Sequence, residues 1–126
     1  MYGIAQVEEI SGISAFTIRY YDKCGFFPNL QRDKHGSRVF SDADIEQLKL
    51  VDALRKSGLS IEGIQYFVKT SSKDPLNPDC LEVLKDRLKV LEIKKAEIDA
   101  SAAMIEKAIE VFRQVDGPDA SDLMDL

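Results

Sequence analysis

The pattern that most restricts this chain lies in its second half. Leu81, Leu84, Leu88, Leu91, Lys95, Ile98, Ala102, Ile105, Ile109 and Phe112 alternate in steps of three and four without a slip, and all but Lys95 are apolar. Such steps return to one side of a helix. Held at strict 3.5-residue spacing, they make a narrow seam rather than the wide stripe of a globular core helix. A helix of that span is roughly 48 Å long at about 1.5 Å per residue. The seam is too long to hide on the small domain before it, and the connecting segment is too short to fold it back on residues 1–70. The pattern therefore predicts a coiled coil that needs a partner helix.

The residues before the seam carry different information. Thr17-Ile18-Arg19-Tyr20-Tyr21-Asp22-Lys23-Cys24-Gly25-Phe26-Phe27-Pro28 reads as a short helix with marked ends. Ser14 stands where an N-cap belongs, Gly25 follows the last charged turn, and Pro28 forbids continuation. Ile18 and Tyr21 can share an inward face, and Arg19 and Lys23 an outward one. Upstream, Ile4, Val7 and Ile10 predict another short amphipathic helix, closed by Ser11-Gly12. Two short helices joined by a tight glycine turn form a helix-turn-helix. A packed face backed by exposed Arg, Tyr and Lys suits a groove bordered by phosphates.

Residues 29–41, NLQRDKHGSRVFS, are polar and basic, with a turn at His35-Gly36 and a β-leaning Arg38-Val39-Phe40. They predict a two-stranded wing. Ser41 opens a third helix, with Asp44 completing a capping box and Ile45, Leu48, Val51 and Leu54 as its stripe. Arg55-Lys56-Ser57-Gly58 ends it, cations at the negative end of the helix dipole. Ser60 caps a fourth helix over Ile61–Lys69 with Ile64, Phe67 and Val68 inward. Thr70–Asp79, with Pro75 and Pro78, reads as an elbow.

The run TIRYYDKCGFFPN resembles the recognition-helix pattern of the MerR family of bacterial transcription regulators, roughly Thr-Leu-Arg-Tyr-Tyr-Glu-x-x-Gly-Leu-Leu-x-Pro. RDKHGSRVF is similar to the family's Arg-Asp-x-Asn-Gly-Tyr-Arg-x-Tyr, matching at Gly36 and Arg38, with Ser37 where an aromatic is usual. LRKSGLSIEGIQYF resembles the family's Leu-Arg-x-x-Gly-x-Ser-Leu-x-x-Ile segment. Glu8 stands where relatives have a small residue, and Phe16 where they often have a polar one.

The resemblance implies an all-α fold with a small β wing. Residues 1–73 would form a winged helix-turn-helix DNA-binding domain, 74–80 a linker, 81–113 an antiparallel coiled-coil dimerisation helix, and 114–126 an acidic flexible tail. It implies a homodimer bound to double-stranded DNA at an inverted repeat, RNA polymerase at the promoter as a partner, and a small-molecule inducer of unknown identity. A separate C-terminal ligand domain, as in drug-sensing relatives, is not expected. The DNA-contact candidates are Phe16, Thr17, Arg19, Tyr20, Tyr21, Lys23, Lys34, His35 and Arg38. Phe16 either meets a thymine methyl or packs inward. The dimer candidates are Leu81, Leu84, Leu88, Leu91, Ile98, Ala102, Ile105, Ile109 and Phe112.

Charge and composition narrow the function classes. The net charge of −5 hides a division. Residues 1–73 hold ten basic against nine acidic side chains, while 74–126 hold seven against thirteen. Within residues 17–38 five basic residues face two acidic ones, the local excess a nucleic-acid footprint requires. No apolar run approaches the roughly 18 residues of a membrane span, and the N-terminal residues do not resemble a secretory signal, so a cytoplasmic, nucleoid-associated protein is expected. There is one histidine, no phosphate-binding glycine loop and no nucleophile with a base, which argues against an enzyme. A coiled-coil scaffold would explain the seam but not the basic wing. An RNA-binding module would want an aromatic stacking platform that is not evident. Cys80 lies where metal-sensing relatives place a cysteine, but the cysteines that would complete a soft-metal site are missing, so no metal or other cofactor is expected. Cys80 then reads as a packed helix-start residue, with thiol sensing as the alternative, and Cys24 reads as core.

Overall fold

In the computed structural model, which describes residues 1–114, five helices and one hairpin follow in order: α1 (Ile4–Ser11), α2 (Ala15–Lys23), β1 (Gln31–Arg32), β2 (Arg38–Val39), α3 (Asp42–Lys56), α4 (Ile61–Lys73) and α5 (Pro78–Gln114). The chain divides into two units, Met1–Leu88 and the part from Lys89 onward. The tail expected from residue 114 lies, beyond Gln114, outside the described residues.

Each helix boundary has a local cause. Gly12, at φ 73°, returns its N–H to the Glu8 carbonyl and ends α1, and the Ser14 hydroxyl accepts the Thr17 N–H to open α2. At the end of α2, Gly25 at φ 86° donates to the Asp22 carbonyl and Phe26 to that of Tyr21, the paired bonds of a glycine-dependent stop. Ser41 and Asp44 bond reciprocally at the start of α3. Ser60 caps α4 through the Gly63 N–H. The expected end of the fourth helix at Lys69 is passed: Ser71 and Ser72 turn their hydroxyls back onto the Val68 carbonyl, and α4 runs to Lys73. The elbow is correspondingly shorter, because Pro78 opens α5 and Asn77 accepts the Asp79 N–H.

The wing is an antiparallel hairpin pairing Gln31 with Val39 and Arg32 with Arg38. The Asp33 carboxylate accepts the backbone N–H groups of His35 and Ser37, folding the turn over Gly36 at φ 79°. One contact has no counterpart in the sequence pattern. Tyr2 and Phe40 exchange two backbone hydrogen bonds of 2.8 Å, so the N-terminus lies beside the wing.

The core of the first unit draws on all five helices and on the segments flanking the wing strands. Val7, Ile18, Phe26, Phe40, Leu48, Val51 and Ile64 are wholly buried. Phe27 meets Phe40 edge-on at 5.8 Å, and Tyr21 lies 5.4 Å from Phe26. The start of α5 belongs to this core. Cys80 is buried with its thiol directed at the Phe67 carbonyl, Val83 and Leu84 pack inward, and Arg87 donates to the Ser57 carbonyl. Leu84, expected in the dimer seam, is thus already half-buried within its own chain. In the second unit several large apolar residues are open: Ile98 is 67 % exposed, Ile105 63 % and Phe112 54 %.

Tyr21 joins α2 to α3. Its ring is 5 % exposed and its hydroxyl donates to Asp52 Oδ1 at 3.0 Å, while Lys56 holds the other oxygen at 2.9 Å. Burial first, and then the bond to Asp52, push the phenol from 10.0 up to about 12. A phenol whose pKa is raised on folding lends stability that is complete below pH 10 and fades as pH climbs towards 12. Tyr21→Phe should cost about 1–2 kcal/mol in denaturant unfolding at neutral pH. It should also flatten the loss of stability between pH 10 and 12.

Candidate nucleic-acid interface

A nine-residue helix presents the candidate surface. Ile18 and Tyr21 face the core. Phe16, Arg19, Tyr20 and Lys23, spaced by three and four, share the opposite face, and all are exposed. Phe16 does not pack inward: it is 80 % exposed. Thr17 is half-buried and spent on the cap, its hydroxyl 3.0 Å from that of Ser14. Tyr20 is half-exposed, and a hydrogen bond with the Cys24 thiol raises its pKa.

The position of Tyr21 corrects the expectation that it touches DNA. Its ring is inside and its hydroxyl is taken by Asp52, so of the tyrosine pair only Tyr20 is presented. Successive helix residues point about 100° apart, and burying one leaves its neighbour outward.

Two carboxylates fix this surface. Glu8 reaches from α1 and accepts the Ala15 N–H at 2.8 Å, tying the two helices across their turn. A small residue there could not do so. Asp22, on α2, takes the Arg38 Nε at 2.7 Å, and the Arg32 guanidinium lies 3.7 Å from the same oxygen. Arg32 and Arg38 are cross-strand partners, and like charges directly opposite repel unless an anion lies between them. Asp22 supplies that anion and fastens the wing to α2. The Arg38 side chain, expected on a phosphate, is only 18 % exposed and committed to Asp22. Lys34 and His35, on the hairpin turn, are fully presented. Between wing and α2 opens a cleft of about 480 Å³ lined by Arg19, Arg32, Arg38, Tyr2 and Met1. Neither Glu8 nor Asp22 was among the expected site residues. The only sequence signal for Asp22 is that it is one of two acids in a basic stretch, which says nothing about its partner.

Residues 2–70 match the family described as MerR HTH family regulatory protein. The chain belongs to the MerR family. An uncharacterised helix-turn-helix transcriptional regulator of Haemophilus influenzae is 32 % identical over 114 residues, covering 90 % of this chain and 84 % of that one. Among solved structures, HiNmlR, a MerR family regulator lacking the sensor domain and bound to promoter DNA, superposes with a TM-score of 0.81 at 31 % identity, over 89 % of this chain and 86 % of that one. A MerR family transcriptional regulator from Bacillus thuringiensis gives a TM-score of 0.76 at 28 % identity, over 88 % and 98 %. The expected winged helix-turn-helix with a long C-terminal helix is the observed MerR-type fold.

Against that MerR background the cysteines are placed plainly. Cys24 is half-buried at the end of α2. Cys80 is 6 % exposed, and burial, followed by the nearby Asp79 and Asp74 carboxylates, pushes its thiol pKa up. A thiol held protonated is a poor nucleophile and a poor metal ligand. Among the described residues no group of three His, Cys, Asp or Glu side chains could hold a metal ion, and no helix is long and apolar enough to cross a membrane.

The Asp22–Arg38 pair makes a prediction that separates positioning from direct contact. Asp22→Ala and Arg38→Ala should each loosen the wing, and a double-mutant cycle on stability should return a coupling of about 1–3 kcal/mol. If Arg38 instead pairs with a phosphate, its substitution alone would lower the salt slope of DNA binding by about one.

Proposed function

We propose that this protein is a sequence-specific, homodimeric DNA-binding transcription regulator that reads an inverted repeat and acts by deforming the DNA between half-sites. The observation that carries the reading is the single exposed face of α2, with Phe16, Arg19, Tyr20 and Lys23, beside a wing that offers Lys34 and His35. Family membership and the relative bound to promoter DNA support the same reading. In such an arrangement the recognition helix enters the major groove and the wing rides on the backbone. Arg19 would read a base edge, and Lys23, Lys34 and His35 would meet phosphates.

Dimerisation would use α5. The exposed Leu88, Ile98, Ala102, Ile105, Ile109 and Phe112, with Leu81 and Leu91, form one face of it, and half-buried Leu84 lies at its edge. Antiparallel pairing about residues 96–97 would set Leu91 against Ala102 and Leu88 against Ile105, with Lys95 snorkelling out beside Ile98. Ile98→Asp should give monomers by sedimentation equilibrium and abolish operator binding, and an unchanged dimer would remove this seam from the interface.

One short recognition helix per subunit reads few bases, so specificity must also come from the shape of the DNA between half-sites. An operator lying between the two promoter elements, with an overlong spacer, would let the dimer untwist the DNA for RNA polymerase in response to an inducer. Selection of bound fragments from the source genome, followed by footprinting, tests this. An inverted repeat with hyper-reactive central bases supports the mechanism, and uniform protection that blocks polymerase would leave a plain repressor. Arg19→Ala should weaken operator binding by about 1–3 kcal/mol, and unequally across operator variants.

A further inference from the structure

We infer that Phe16 fixes a thymine in each half-site by packing its ring on the thymine C5 methyl group, an inference that rests on the DNA-reading role proposed for α2. The other phenylalanines of the first unit, Phe26, Phe27, Phe40 and Phe67, are all at most 5 % exposed, whereas Phe16 is 80 % exposed. Its site is specific: it stands three, four and seven residues before Arg19, Tyr20 and Lys23, on the same face of α2. The backbone on either side is pinned, Ala15 by the Glu8 carboxylate and Thr17 by the Ser14 hydroxyl. The ring is therefore held out on a rigid turn.

Glu8 also decides what that turn can face. A free helix N-terminus attracts phosphate through its N–H groups. Here the first N–H of α2 is occupied by a carboxylate from the same chain, whose negative charge repels a second anion. The first turn therefore offers a backbone phosphate no free anion site at that N–H, and is left for base edges. A phenyl ring offers no hydrogen bond, and among major-groove edges only thymine presents an apolar group. Arg19 lies three residues on, about 4.5 Å along the helix, against about 3.4 Å per base step. The thymine should lie one or two base pairs from the base that Arg19 reads, a guanine if arginine makes its commonest specific contact, to O6 and N7.

The test uses the full-length protein and operator duplexes in which that thymine is replaced by deoxyuridine, which lacks only the methyl group. Binding should fall about fourfold per half-site, the worth of one buried methyl, and about fifteenfold when both are changed. Phe16→Ala should bind thymine and deoxyuridine operators equally, and Phe16→Leu should retain part of the difference. Selection with Phe16→Ala should lose the thymine while keeping the base that Arg19 reads. Equal binding of both duplexes by the unaltered protein, with operator specificity intact, would overturn the assignment and leave the regulator reading standing. Failure of the unaltered protein to bind any DNA specifically would overturn both.

Discussion

A helix of nine residues does not hold itself together in water. Everything that α2 presents depends on what is fastened to its other side. Ile18 and Tyr21 sink one face into the core, and Ser14, Glu8 and Gly25 satisfy its ends. The bond from Tyr21 to Asp52 then fixes rotation about the helix axis, which burial of apolar atoms alone would leave looser. With that rotation set, the opposite face has no freedom over which side chains it shows.

The fixing is done largely by acids, which is unexpected beside a polyanion. Glu8, Asp22, Asp33 and Asp52 all lie within the DNA-reading unit, yet each is committed to a partner in its own chain: a helix end, two wing arginines, a hairpin turn, and a phenol with a lysine. Carboxylates accept several hydrogen bonds and so make rigid joints. Lys23, Lys34 and Arg19 remain exposed on the outer surface. A MerR-type reading head can belong to a chain of net charge −5 because the negative balance lies in residues 74–126.

What was legible in the sequence was whatever depends on neighbours in the chain. Ser14, Gly12, Gly25, Ser41 and Gly58 act where their residue types predict, because capping and positive φ are local requirements. The wing turn at Gly36 was legible for the same reason. Contacts between distant residues were not. The spacing of Ile18 and Tyr21 already allowed an inward ring, but nothing near Tyr21 announces Asp52, 31 positions away, so the bond that takes its hydroxyl was not legible. Nothing in residues 1–3 announces a bridge to Phe40. The serines after Lys69 looked like a linker because serine competes for backbone bonds, yet here those bonds run back along the helix and prolong it. Leu84 fitted the seam by spacing, but spacing cannot tell the core of the same chain from a partner.

The bridge between Tyr2 and Phe40 bears on how this protein should be handled. Its two backbone bonds hold the N-terminus against the wing, and Met1 itself lines the cleft with Arg19 and Arg38. An affinity tag fused ahead of Met1 would emerge beside Arg19 and Arg38, and an acidic leader there would place negative charge against the cleft. A cleavable leader leaves that cleft clear.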